Sequence, residues 1–315
     1  MSFTTLIPAY KPAYLAELLR ALHFQALPPA RVIVSDDSPD GAFLRALAEP
    51  ALAPLVQRLQ LSVVEGPKRG GWANCQQLLK LYDGATPYFH LLMDDDIPYP
   101  SFYARHAEAQ ALSSSGCSVS RRWYADEAGR PLASLPVPAA VDAMPQRLLG
   151  LPAAVLFEHI VGPGNNWLGE LSNTTFAAAR VADLMHPQVG GVKLHGLEDV
   201  GAMLACAQRA PLAFINEHLG FFRTSAAQNS RQPMGRAFKL GVVGWIAFAL
   251  GALRAGQLAE ALARAAIARA SLAVRERYAG EADVRPFIEL LPALAAGAAA
   301  DDEFLCLWHD FGAAR

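Results

Sequence analysis

Three consecutive aspartates, Asp94-Asp95-Asp96, follow the apolar run Leu91-Leu92-Met93 and precede Ile97-Pro98. Adjacent carboxylates repel one another unless a cation or a solvated turn offsets their charge. Hard oxygen ligands of this kind suit Mg2+ or Mn2+, usually alongside substrate phosphates. A turn cluster closing a strand is the plainer alternative. Two further polar groups stand out: Asp36-Asp37-Ser38-Pro39-Asp40-Gly41 and Gly66-Pro67-Lys68-Arg69-Gly70-Gly71. Two other carboxylate chemistries fail on spacing. An aspartyl-nucleophile phosphatase needs Thr or Val two residues after its Asp-x-Asp, where this chain has Pro98. A calcium loop starting at Asp36 needs Glu at its twelfth position, which is Leu47.

These clusters need a scaffold, and the first hundred residues supply an alternating one. Thr4 to Ile7 reads as a strand ended by Pro8, and Pro12 suits the first turn of a helix with apolar face Leu15, Leu18, Leu19 and Leu22. Strands are predicted at Arg31–Ser35, Leu61–Glu65 and Tyr88–Met93, with helices up to Leu59 and from about Trp72 to Tyr82. Strands separated by such helices imply βαβ units and a parallel sheet, whose ligands bind at the carboxyl ends of the strands. All three polar clusters follow strands, so the topology would gather them on one edge. Beyond it lie a strand at Cys117–Ser120, a Gly/Asn loop from Val161 to Trp167, a strand-like Leu171–Ala177, and a helix opening near Leu197-Glu198-Asp199. From Met234 the chain is Ala/Leu-rich and helical.

With 53% hydrophobic and 18% charged residues, the chain can bury a large core and does not read as disordered. A net charge of -2 gives no reason to expect a nucleic-acid partner. Cys75, Cys117, Cys206 and Cys306 lack the paired spacing of a zinc site or a disulfide framework. The N-terminus lacks the pattern of a signal peptide. The apolar run Leu240–Leu253 is shorter than the roughly 20 residues of a bilayer span. The expectation is a soluble cytoplasmic protein, at most peripheral at the inner face of a membrane.

Thr5-Leu6-Ile7-Pro8-Ala9-Tyr10, Ser35-Asp36-Asp37-Ser38, Leu91-Leu92-Met93-Asp94-Asp95-Asp96 and Leu197-Glu198-Asp199 occur in this order. The ordered set resembles the inverting glycosyltransferases of family 2, which have the GT-A fold, over roughly residues 3 to 225. The Met-Asp-Asp-Asp-Ile string also looks like that of bacterial galactofuranosyltransferases. The resemblance implies a Rossmann-like, mainly parallel α/β sheet flanked by helices, with a helical C-terminal extension. It implies transfer of a sugar from a nucleotide-sugar, with Mn2+ or Mg2+, to a hydroxyl of a glycan or glycolipid. By the same resemblance Pro8, Ala9 and Tyr10 line the base pocket, Asp37 accepts a hydrogen bond from uracil, and Arg69 to Gly71 approach the nucleotide. Asp94 and Asp96 match the metal-binding Asp-x-Asp, with Asp94 alternatively nearer the ribose and Asp95 the ligand in a second register. Glu198-Asp199 matches the acidic pair whose second member is the general base. His218 completes the metal shell, Arg223 meets the diphosphate, and Asn165, Asn166 and Trp167 resemble the acceptor loop.

The chain divides on this reading into a catalytic domain at 1–233, with a donor half at 1–116 and an acceptor half at 117–233, and a helical region at 234–315. The helical region is expected to pack on the catalytic domain or a second subunit, with peripheral membrane contact as the alternative, and a chain ending near Arg231 would lose it. Two other functions compete. A sugar-phosphate nucleotidyltransferase would need a basic Gly-rich loop after the first strand, where this chain has Pro8-Ala9-Tyr10-Lys11-Pro12. A non-catalytic glycan-binding module would require neither Asp199 nor a metal.

Overall fold

The computed structural model describes residues 1–224 and 232–313. Arg231, the truncation point considered above, lies outside the described residues. The chain forms two compact units, one of residues 1–150, 168–185 and 211–225, the other of 151–167, 186–210 and 226–315.

The first unit begins with the predicted alternation: β1 (Phe3–Ala9), α1 (Leu15–His23), β2 (Arg31–Asp36), α2 (Ala42–Leu47), α3 (Ala53–Arg58), β3 (Leu61–Glu65), α4 (Gly71–Leu81) and β4 (Tyr88–Leu91). Leu15, Leu18, Leu19 and Leu22 are the buried face of α1, as their spacing required. The strands β3, β2, β1 and β4 lie side by side and parallel. β1 runs two residues further than predicted and includes Pro8. Leu6 O accepts the N–H of Leu92, so alternate residues of β1 face β4, and Pro8 is the next of them. The ladder between these strands ends at Leu6–Leu91, so the N–H that proline lacks has no paired strand to serve.

The unit continues through β5 (Ile97–Pro98), α5 (Phe102–Leu112), β6 (Cys117–Ala125), β7 (Pro131–Ser134), α6 (Ala139–Asp142) and β8 (Leu148–Leu151). After α7 (Ala153–Leu156), which belongs to the second unit, come β9 (Thr174–Ala177) and α8 (Val181–Met185). The sheet order is β3-β2-β1-β4-β9-β6-β12-β5, where β12 is Leu212–Arg223; β7 also pairs with β6 and β8 with β12. β9 is antiparallel to β4 and β6, β12 is parallel to β6, and β5 is antiparallel to β12. The sheet is thus parallel in its N-terminal half and mixed beyond it. The segment Leu171–Ala177 is a 3-10 turn, Leu171–Asn173, before it becomes strand.

The second unit holds α7 with its π-helical continuation Phe157–Val161, the hairpin β10 (Gln188–Val189) and β11 (Val192–Lys193), α9 (Glu198–Ala207), α10 (Arg236–Arg254), α11 (Glu260–Tyr278), α12 (Arg285–Ala296) and α13 (Asp301–Ala313). The run Leu240–Leu253 lies inside α10, whose 19 residues make it the one described helix long and apolar enough to cross a membrane by length and composition. Its Val243, Ile246, Phe248 and Leu250 are buried, and it packs on α11, α13 and the hairpin, as a core helix does. Lys239, also buried, ion-pairs with Glu281 at 2.6 Å and Asp283 at 2.8 Å.

Leu18 has no exposed surface in the middle of the α1 face. Leu18→Ala is expected to lower unfolding stability by about 2–5 kcal/mol, measured by denaturant titration, because a core truncation leaves a cavity.

Candidate active site

Asp94, Asp95 and Asp96 sit in the turn that leaves β4, at 5%, 8% and 1% exposure. Asp94 Oδ2 accepts the backbone N–H groups of Tyr10 and Lys11, each at 2.5 Å, from the loop that leaves β1. Burial nevertheless raises Asp94 to about 6, helped by the charge of Asp95. Lys11 Nζ pairs with Asp95 Oδ2 at 2.6 Å. Burial alone would lower the Lys11 ammonium, but the hydrogen bond and charge of Asp95 outweigh it and hold the group above its ordinary value. Asp96 Oδ1 accepts the N–H of Arg223 at 3.0 Å, while its Oδ2 is buried with no hydrogen-bond partner of normal geometry. Burial, then the charge of Asp95, push Asp96 well above the carboxylate range, opposed by the Ser172 hydroxyl and the Arg223 N–H.

The second acidic cluster splits into two roles. Asp36 builds the turn: Oδ1 accepts the N–H and hydroxyl of Ser38, and Oδ2 accepts the N–H of Leu44. Asp37, one residue beyond β2, accepts the N–H of Lys68 at 2.5 Å. Gly66 lies so close that a Cβ there would stand 2.6 Å from Asp37 Oδ1. Lys68 closes the loop with its ammonium on the carbonyls of Asp36 (3.1 Å) and Ser38 (2.7 Å). Gly70, at φ 89°, turns the chain into α4; Arg69 and Gly71 are exposed there, and no side chain caps the helix. Pro8 and Ala9 end β1, and the Tyr10 ring is 55% exposed beside them.

The chain folds around these carboxylates with groups that spacing alone does not reveal. Arg122 is buried, bridges Glu170 with both Nε and Nη2, and stacks over Tyr124 at 4.4 Å and Phe222 at 4.9 Å. The charge of Glu170 contributes to the rise at Asp96, so this ion pair borders the cluster. Arg122 and Glu170 are separated by 48 positions and carry no local signal. Lys11 did carry one, since it adjoins Pro8-Ala9-Tyr10 directly after a strand.

Arg223 reaches the cluster in another way than the diphosphate role assigned to it. Its guanidinium is buried, with Nε on Asp95 O (3.0 Å), Nη1 on Glu127 O (2.6 Å) and Nη2 on Glu17 (2.7 Å), and it lies over Tyr14 at 4.0 Å. His218 is not brought to the aspartates. Gly220 pairs with Pro98 and Phe221 with Ile97, so β12 carries His218 away from Asp96 while Arg223 meets it. Five strand residues span on the order of 15 Å, too far to share a metal. The imidazole instead stacks on Trp123 at 3.9 Å and pairs with Ser134 Oγ at 2.8 Å. Burial, then the Arg121 charge, lower it to about 4.

Among the described residues no three His, Cys, Asp or Glu side chains converge as a metal site. The aspartates fit a cation in another sense: a buried, unpartnered carboxylate oxygen stands among acids held above their ordinary range. A Mg2+-type ion commonly takes one or two carboxylates and completes its shell with phosphates and water. In the second unit, Glu198 and Asp199 occupy the first turn of α9, and burial raises Glu198. Asn166 is partly exposed in its loop, but Trp167 is only 2% exposed, so its ring offers no open face to a sugar.

No family model and no curated protein sequence matches the chain. Solved structures do. TarS residues 1–349 of S. aureus, in complex with UDP-GlcNAc, superposes with TM-score 0.57 at 15% identity, covering 99% of this chain and 91% of that one. The mannosyltransferase PcManGT of Pyrobaculum calidifontis, in complex with GDP-Man and Mn2+, gives TM-score 0.50 at 16% identity, covering 98% and 86%. The chain has the GT-A glycosyltransferase fold.

His218 keeps its neutral form in the fold, which contributes stability above the ordinary histidine value of about 6.5 and loses it as pH falls toward 4. Compared with His218→Gln, the native protein should therefore lose relative thermal stability between pH 7 and pH 4. A pH-independent difference would show that the stack does not hold the ring neutral.

Proposed function

We propose that this chain is a nucleotide-sugar-dependent glycosyltransferase, with its donor site at the carboxyl edge of β1, β2 and β4. The observation that carries the reading is the meeting of the β1 loop with the buried aspartates. Asp94 is held by Tyr10 and Lys11 N–H groups, and the neighbouring Asp96 keeps an unpartnered oxygen. The GT-A neighbours, one in complex with UDP-GlcNAc and one with GDP-Man and Mn2+, support a nucleotide-sugar donor.

In this reading Pro8, Ala9 and the exposed Tyr10 ring flank the base, and Asp37 accepts the uracil N3–H, which favours a uridine nucleotide. Arg69 and the uncapped start of α4 at Gly70-Gly71 face the nucleotide, where backbone N–H groups suit an anion. Asp94 and Asp96 would hold Mn2+ or Mg2+, which offsets the charge of the departing diphosphate. Arg223 supports this turn from behind by holding the Asp95 carbonyl and the Asp96 carboxylate. Asp199 is the proposed general base, deprotonating the acceptor hydroxyl of a glycan or glycolipid in an inverting displacement of the family 2 type. Glu198 stands beside it at the same helix start; the helix dipole there favours an ionised carboxylate, while burial raises Glu198 itself.

Metal-dependent transfer tests the donor half of this reading. Transfer should require Mn2+ or Mg2+, Asp96→Ala should abolish it with the thermal midpoint little changed, and UDP with metal should protect the protein against unfolding. Full turnover in excess chelator, or stronger protection by GDP than by UDP, would sink the metal or the uridine assignment respectively.

Asp199→Asn tests the mechanism separately. It preserves shape and removes basicity, so the transfer rate should fall about 10²–10⁴-fold with UDP affinity retained. Near-normal transfer would reject Asp199 as base, and joint loss of UDP binding and transfer would move it into the donor site.

A further inference from the structure

The proposed base, Asp199, belongs to the second unit, and so do the elements that fix the segment leading to it. α9 opens at Leu197, whose backbone is not helical and whose side chain caps nothing, so the chain before it sets where the helix starts. Residues 193 to 197 are held one after another by α13 and α10. Trp308 of α13 is 1% exposed and donates its indole N–H to the carbonyl of Lys193 at 2.7 Å. The His195 imidazole lies against the same indole, with ring centroids 5.6 Å apart. It also rests on Gly312, one turn further along α13, so closely that a Cβ there would collide with the ring. From α10, Gly244 leaves room for the His195 carbonyl and the Leu197 side chain, 3.1 and 3.2 Å from where its Cβ would stand. The Trp308 ring closes the same spot at 3.3 Å. Gly196, at φ 73°, passes the backbone of α10 with its Cβ position 2.6 Å from the Gly241 nitrogen. Leu194 folds back onto α9, where a Cβ on Gly201 would stand 2.5 Å from it.

A general base must stand within hydrogen-bond reach of the hydroxyl it deprotonates, and a small misplacement is costly. Asp199 is partly exposed, as a group that meets a substrate must be, so packing can fix its backbone more firmly than its carboxylate. Trp308 supplies two kinds of restraint on that backbone. The indole fills the space between α10 and the segment, and its N–H, which needs a partner once buried, sets the segment's register through the Lys193 carbonyl. A phenyl ring would fill most of the space without setting the register. We propose that Trp308 is a positioning residue for Asp199: by holding Lys193 and His195 it fixes the segment that aims the first turn of α9. This rests on the reading of Asp199 as the base. The helices from Arg236 onward, where the sequence places no site residue, then take part in catalysis through this contact.

Hydrolysis of UDP-glucose, UDP-galactose and UDP-GlcNAc with Mn2+, water being the acceptor, tests the proposal. In that reaction the water oxygen bonds to the anomeric carbon as the bond to UDP breaks, and Asp199 takes the water proton. Rates at saturating donor, UDP affinities and thermal midpoints are measured on the same proteins. Trp308→Phe keeps an aromatic ring and removes the N–H. It should lower the rate about tenfold, less than the roughly 10²-fold cost of a 1 Å misplacement, with UDP affinity unchanged. Gly312→Ala displaces the His195 ring without removing the hydrogen bond, and should lower the rate in the same way. Each substitution is then placed in an Asp199→Asn background, where a residue that acts through the base has little left to affect, so the further loss should vanish. A comparable loss that persists in that background would assign Trp308 to the fold alone and overturn the proposal. Native rates in both Trp308→Phe and Gly312→Ala, with Asp199→Asn slow, would overturn it too and leave Asp199 as the base. Near-normal hydrolysis by Asp199→Asn, or no hydrolysis of any of the three sugars by the native protein, would remove the base reading and the proposal with it.

Discussion

Burying three consecutive carboxylates at the end of β4 is the constraint around which the first unit is built. Charged groups leave water at a high cost unless they are paired or hydrogen-bonded. Two parts of the chain meet the aspartates: the loop after β1 holds Asp94 through the Tyr10 and Lys11 N–H groups and Asp95 through the Lys11 ammonium, and the end of β12 meets Asp96 with the Arg223 N–H. β1, β4 and β12 are therefore tied at one point by electrostatics as well as by the sheet. The compensation is incomplete, because Asp94 and Asp96 both remain above the carboxylate range. The residual imbalance is electrostatic, and in the proposed reading a cation would relieve it.

The two buried arginines near the cluster do not supply that cation. Arg223 acts on Asp96 through its backbone N–H, and its guanidinium meets Glu17 and two carbonyl oxygens. Arg122 is bridged by Glu170. Each guanidinium is thus matched by its own acid, while the aromatic faces of Tyr14, Tyr124 and Phe222 accept the rest of its surface. They shape the turn and its walls without neutralising the aspartates.

What could be read from the sequence is what the chain encodes locally. The α1 leucines repeat at helical spacing, and β2 and β3 appear where Val and Ile are dense. That Pro8 to Tyr10, Asp37 and Asp94 to Asp96 share one sheet edge is legible because a parallel sheet sends every such loop there. β12 was missed because its core residues do not simply alternate: bulges interrupt its pairing with β6 around His218. That same irregular strand separates His218 from the aspartates and delivers Arg223 to them. Ser172, Glu170 and Arg122 depend on tertiary contacts between distant segments, which no spacing announces. Trp167 shows the opposite failure, since an aromatic in a Gly/Asn loop resembles a sugar platform until the fold buries it.

Formal charge carries the synthesis one step further. The direct partners of the three aspartates are backbone N–H groups and a single ammonium. Were all three ionised, three negative charges would face one positive charge, since the arginine pairs beside them are internally balanced. The deficit equals the charge of one divalent cation. Had a second lysine or arginine stood on Asp96, the cluster would be close to neutral and a metal would bring little. With neutral donors holding the carboxylates in place, orientation and charge are handled by different groups. In the proposed reading the protein fixes the geometry, and a divalent ion would supply the missing charge.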